Sequence, residues 1–198
     1  MKMSRGEREL QKQFGTEKRA GAFYKNQMTD SLTPRMADFI AAQEMLFIST
    51  ADGGGNCDAS FRAGQAGFVR VLSEKTLMYP EYRGNGVMAS LGNISENPHI
   101  GLMFIDFTEH QIGLHINGAA QILEHDALSS LGFNDEEIHF LNEQEDGRAE
   151  RWVVVTVHEA YIHCSKHIPV LRKHSDDYAR DADDRKRKGG DFFEVKNK

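Results

Sequence analysis

Cysteine is scarce in this sequence: Cys57 and Cys164 stand far apart with no CxxC pair, so no disulfide framework can be drawn and a reducing compartment is expected. Long apolar runs are missing as well. None approaches the roughly 18 residues that a membrane-spanning helix needs, and the opening MKMSRGERELQKQF carries charge throughout instead of an apolar signal segment. A cytoplasmic protein, with no membrane partner, is the expectation. Basic excess is absent too. With 24 Lys and Arg against 30 Asp and Glu, the net charge of −6 argues against nucleic acid as a partner, and any bound anion must be gripped locally. No GxSxG marks a nucleophile elbow, and GNG within YRGNGV lacks the strand, helix and later acid of a dinucleotide fold. Cys57 has Asp58 beside it and no cation to favour its thiolate, while Glu136-Glu137 and Asp176-Asp177 read as solvated surface.

What remains is one domain's worth of chain, 198 residues, in three parts. Residues 1–32 are polar and helix-permissive, an arm with Leu10, Phe14, Ala20 and Phe23 at helical spacings, interrupted by glycines. Residues 33–172 form the main domain. Thr33-Pro34 is an N-cap followed by proline at the first helical position, and Met36, Phe39 and Ile40 supply the apolar stripe of a helix to about Gln43. Short apolar runs then alternate with turns: MLFIST, CDASF, GFVRVL, LMYP, HIGLMFIDF, IGLHINGAAQIL and RWVVVTVHEAYIHC. This pattern predicts a mainly β fold with peripheral helices, a small antiparallel barrel of six or so strands. Residues 173–198 form a tail of dense mixed charge, expected to stay solvated.

The segment YRGNGVMASLGNISENP between LMYP and HIGLMF suits an anion. Gly84 and Gly86 let the backbone bend close, Arg83 offers a forked cation, Asn85, Ser90 and Asn93 offer neutral donors, and a following helix adds free N–H groups. The same RGNG is equally a good turn. HEAYIHCSKHIP gathers His158, His163, Cys164 and His167, but strand alternation sends His163 and Cys164 to opposite faces, and no metal site is expected. His115 alternates with Leu114 and Ile116, which points it outward or toward a subunit seam.

Taken in order, GFVRV, YRGN and SLGNISENPHIGLMFIDF resemble the pyridoxamine 5′-phosphate oxidase-related family of FMN-binding split barrels, over residues 36 to 168. The resemblance implies a homodimer with flavin mononucleotide (FMN) at the interface, its phosphate held by basic and hydroxyl side chains of the strands and the following helix. Carried onto this sequence, it points to Ser60 and Arg62, to Phe68, Val69 and Arg70, to Tyr79 and Pro80, and to the loop and helix residues Arg83, Asn85, Ser90 and Asn93. It also points to His163 or Lys166 as bordering the cleft, the other reading being that both simply cap the strand end. Arg62, Arg70 and Arg83 are all candidates for the phosphate, because the oxidases' Ser-Arg-Lys run is missing from a longer loop here. Their C-terminal substrate contacts have no counterpart in YIHCSKHIP either, so pyridoxamine phosphate itself is not the favoured substrate. The expected activity is that of an FMN-dependent oxidoreductase acting on a small redox substrate; the alternative is a non-catalytic split barrel that carries flavin or haem.

Overall fold

The computed structural model describes residues 3–172 together with Phe193 and Val195; the rest of the charged tail lies outside the described residues. The arm is helical. Helices α1 (Arg5–Gln13) and α2 (Glu17–Gln27) lead into β1 (Met28–Thr29), and the start of α1 is set by a capping box between Ser4 and Glu7. Helix α3 (Pro34–Ala41) begins where Thr33-Pro34 predicts, with the Met36 N–H donating to Thr33 Oγ1 at 3.2 Å. It buries Ile40 against the barrel, with Met36 and Phe39 half covered beside it.

The strands that follow are β2 (Met45–Ala51), β3 (Cys57–Ala63), β4 (Arg70–Ser73) and β5 (Thr76–Tyr82). Helix α4 (Ala89–Glu96), then β6 (His99–Asp106), β7 (Ile112–Leu123), a 3-10 helix (Asp126–Leu131), α5 (Asp135–Gln144) and β8 (Ala149–His163) complete the domain. The sheet runs β3-β2-β6-β7-β8-β5-β4, with β1 added on β8, and every pairing is antiparallel. The expectation of six strands is therefore corrected to eight. A two-residue strand such as β1 is too short for alternation to show, and it forms only because β8 offers Ala160 and Tyr161 as partners.

Strand β8 has 15 residues and serves β5 with its first half and β7 along most of its length. Trp152, Val153, Val154 and Val155 are all buried, so both faces of the strand are covered there and WVVV reads as a continuous apolar run. Val153, Val155 and Val157 enter the barrel core, whereas Trp152 and Val154 enter a second core outside it with Met78, Leu128 and Leu141. The 3-10 helix and α5 roof that second core. Helix α5 starts at an Asn134–Glu137 capping box, a signal present in the sequence as NDEE.

The long pair β7–β8 bends at a bulge where His158 is the extra residue, between Asn117↔Glu159 and Gly118↔Val157. Gly118 makes the close approach possible: a Cβ there would lie 2.2 Å from the Thr156 carbonyl oxygen. Gly118→Ala is therefore expected to lower stability by at least about 2 kcal/mol, because backbone rather than a flexible side chain must yield. Denaturant unfolding of the two proteins checks this, and matching midpoints would refute it.

Candidate functional site

One edge of the sheet is β3, and the other is β4, which pairs only with the first part of β5. Residues Tyr79–Tyr82 thus pair with β8 on one side and face a gap on the other. On β3, alternation sends Asp58, Ser60 and Arg62 inward beside Thr50, Ile48 and Leu46 of β2. Arg62 reaches across the gap. Its Nε donates to Glu81 Oε1 at 2.8 Å, with Nη2 in ion-pair contact 2.8 Å from the same oxygen, and Nη1 donates to Ser60 Oγ at 2.8 Å and to the Phe61 carbonyl at 3.1 Å. Glu81 is buried, and this ion pair ties the two sides of the split together.

Helix α4 is bolted over the same end by two further sequence-predicted residues. Ser90 Oγ donates to Asp58 Oδ2 at 3.1 Å, and Asn93 Nδ2 donates to Thr50 Oγ1 at 3.0 Å. Their polar atoms are thus engaged in positioning the helix. Ahead of it, residues 83–89 are all exposed. Gly86 (φ 84°) and Met88 (φ 55°) hold left-handed backbone, and Asn85 Oδ1 accepts from the Val87 N–H at 3.0 Å. Among the described residues no side chain caps α4, so its first-turn N–H groups are open to an outside acceptor. Arg83 is exposed and unpaired among the described residues.

Arg70 sits elsewhere. It points into the second core, where Nη2 donates to Glu145 Oε1 at 2.7 Å and to Gln144 Oε1 at 3.1 Å, with its guanidinium 5.1 Å from the centre of the Trp152 ring. Tyr82 Oη donates to the other Glu145 oxygen. Burial, and then that hydrogen bond to Glu145, push the Tyr82 hydroxyl well above its ordinary pKa. Phe68, Val69 and Tyr79 have their side chains in the barrel core, and Pro80 is buried opposite Trp152. Tyr79 Oη is fully buried without a hydrogen-bond partner among the described residues. Lys166 is exposed in the bend after β8.

The outward face of the sheet carries a row straight across the strands: Phe61, Phe47, Met103, His115 and Tyr161 are successive cross-strand neighbours. Phe47 and Phe61 are 37% and 50% exposed with ring centres 5.4 Å apart, a large apolar patch on an open sheet face. His115 stacks on Tyr161 at 4.8 Å, and its Nε2 lies 2.9 Å from His163 Nδ1. Burial, and secondarily His163, lower the His115 pKa. A cavity of about 1270 Å³ lies at the other end of the barrel, between the arm, α3 and the β6–β7 turn; the sequence-predicted residues do not line it.

A family model for pyridoxamine 5′-phosphate oxidase matches residues 32–164, the whole barrel from before α3 to the end of β8. The chain belongs to the pyridoxamine 5′-phosphate oxidase family. Its fold is the family's split barrel, with the split crossed here by Arg62 and Glu81. Solved structures that it overlaps include HupZ of Group A Streptococcus, at 22% identity and a TM-score of 0.46, covering 64% of this chain and 89% of that one. HutZ, a haem storage protein of Vibrio cholerae, overlaps at 13% identity and a TM-score of 0.39, covering 64% and 89%. An FMN-binding protein of Syntrophomonas wolfei overlaps at 12% identity and 0.43, covering 67% and 82%. No curated protein matches the sequence.

Within this pyridoxamine 5′-phosphate oxidase family member, sequence reasoning missed Glu81 and Glu145, the carboxylates that engage two of the three candidate arginines. Glu81 had a visible signal: it is an acid inside the apolar run LMYPEY, where an unpaired charge could not be buried. Glu145 had none, because it follows a helix in a stretch of ordinary surface acids.

Proposed function

We propose that this protein binds FMN at the seam of a homodimer and acts as an FMN-dependent oxidoreductase on a small-molecule redox partner. One observation carries the reading: in a chain of the pyridoxamine 5′-phosphate oxidase family, the N-terminus of α4 stands behind an exposed left-handed loop bearing Arg83, both without a side-chain partner among the described residues. That donor set fits a terminal phosphate. Open N–H groups and the helix dipole favour a dianion, the left-handed turns let the backbone approach it, and Arg83 can grip it in a fork.

When bound, the flavin supplies the two-electron or hydride chemistry, so this chain's residues need only bind, orient and cover it. Ser90 and Asn93 hold α4 in place; Arg83, Asn85 and the helix N-terminus supply the contacts. The loop is an open surface on a single chain, and a second copy meeting it across the aromatic sheet face would exclude water from the ring.

The test is an absorbance spectrum of purified protein before and after adding FMN and desalting. A retained two-band flavin spectrum supports the reading; a sharp Soret band on the purified protein would replace it with haem carriage. Steady-state oxidation of NADH or NADPH by the flavin-loaded protein would support an oxidoreductase, and reduction by dithionite alone would leave a flavin carrier. Arg83→Ala is expected to weaken FMN binding about 10- to 100-fold, the usual size of a charge-assisted contact, without altering the thermal unfolding midpoint. Unchanged affinity by fluorescence titration would remove Arg83 from the site.

A further inference from the structure

We propose that the N-terminal arm is an intermolecular clasp: α1 and α2 of one copy close over the Phe61 end of the aromatic row on a second copy of this chain, and that copy's arm closes over the first in return. The inference rests on the homodimer reading above and names what covers the open sheet face.

The arm finds no floor in its own chain. Helix α1 has 9 residues and α2 has 11, and neither contains a buried residue. Helices this short are marginal in water by themselves, and ordering their backbone costs entropy that only burial of an apolar side can offset. What holds α1 within the chain is polar: the Ser4–Glu7 capping box, Gln11 Nε2 donating to Tyr24 Oη at 2.7 Å, and Tyr24 Oη donating to Glu7 Oε1 at 3.4 Å. Its apolar side chains are left out of that knot. Leu10 and Phe14, four residues apart and so on one side of the helix, are 54% and 69% exposed.

The arm is anchored at one end of the aromatic row. Phe23 of α2 meets Tyr161 edge to face with ring centres 5.9 Å apart, and Met28 of β1 pairs with Tyr161 at the sheet edge. From Tyr161 the row runs through His115, Met103 and Phe47 to Phe61, about 19 Å at the usual spacing of neighbouring strands. Phe61, at the far end, is 50% exposed. One end of the face thus carries an apolar helix without a floor, and the other an apolar floor without a helix.

A second copy supplies both. In a two-fold dimer the same patch serves on each side. Two such faces, packed about an axis parallel to the strands and over Met103, the middle residue of the row, exchange the ends of the row. Each arm then meets the other copy's Phe61, and each Phe47 faces the other copy's His115. An axis along the row would set arm against arm instead, and a helix about 10 Å across would hold the two Phe47–Phe61 patches apart. The row carries no Asp, Glu, Lys or Arg, so self-association strands no ion on it.

The test is sedimentation velocity of the full-length protein over a micromolar dilution series, with the double variant Leu10→Ala, Phe14→Ala beside the wild type. Alanine keeps the helix propensity of α1, and neither side chain belongs to a core cluster, so the variant should fold as the wild type does. Its dimer dissociation constant should rise at least about tenfold, as expected for two apolar side chains lost from an interface. Hydrogen exchange gives a readout that leaves the arm's sequence untouched. Amides of residues 5–13 should be protected in the wild-type dimer and exchange at least about tenfold faster in the Phe47→Asp monomer.

A wild-type dimer whose dissociation constant is unchanged in the double variant would overturn the clasp and leave the seam in place. Equal protection of residues 5–13 in dimer and monomer would overturn it too, because the arm would then be held by its own chain; protection in neither would show that the second copy gives it no floor. A wild-type protein that is monomeric, or a Phe47→Asp protein that still dimerises, would remove the seam and the clasp together.

Discussion

Replacing Glu145 with alanine will lower the unfolding free energy by about 3–5 kcal/mol, the size expected when one partner of a buried ion pair is removed. Glu145 is 4% exposed and accepts from both Arg70 and Tyr82. Arg70, whose side chain is 16% exposed, would be left as a cation over the Trp152 ring with only Gln144 and the Phe68 carbonyl as acceptors. The penalty comes mostly from that stranded charge. Replacing both Arg70 and Glu145 with methionine should therefore recover most of the loss, since the double variant buries no ion.

Urea unfolding with a single shared slope is the measurement, and a loss below about 1 kcal/mol for Glu145→Ala would show that solvent reaches Arg70 freely. The same variant bears on function. If Glu145 were competing with a phosphate for Arg70, its removal would tighten FMN binding. With Arg70 directed into the second core, affinity in the folded variant should stay within about twofold of the wild type, a change too small to count as a lost or gained contact.

Phe47→Asp is expected to break the proposed homodimer into monomers, raising its dissociation constant at least about 100-fold. Phe47 is second in the row from Phe61 to Tyr161, 37% exposed on a face of the sheet that no described element fully covers at that point. A carboxylate there would be desolvated by a second copy without a cation on the same row to receive it. The Phe47 side chain contributes to neither barrel core nor helix roof, so the variant should keep its circular dichroism and unfolding midpoint. Sedimentation velocity at micromolar concentration reads the result. A wild-type protein that already sediments as a monomer, or a variant that dimerises unchanged, would discard the seam and with it the covered flavin site.

Much of this architecture was legible in the residues. The alternation of MLFIST and HIGLMFIDF marks β2 and β6, Thr33-Pro34 marks the start of α3, and the linked motifs from GFVRV to SLGNISENP mark the family. Each of these is a local property: a period of two, a cap, or a glycine where the backbone must turn left-handed. The loop at Arg83 and Gly86 was legible for the same reason, because its chemistry lies within a few consecutive residues.

The fates of the three arginines were not. Arg62 meets an acid 19 residues on and Arg70 meets one 75 residues on, and nothing near either arginine distinguishes it from Arg83, which stays exposed. Phe68 and Val69 likewise look like ring-lining residues in a motif and are core residues in the fold. Local sequence sets which backbone shapes and side-chain chemistries are on offer at each position. Whether a charge is free to bind a ligand depends on which carboxylate the closing of the sheet brings beside it, and that pairing is made by strand order rather than by chain neighbours.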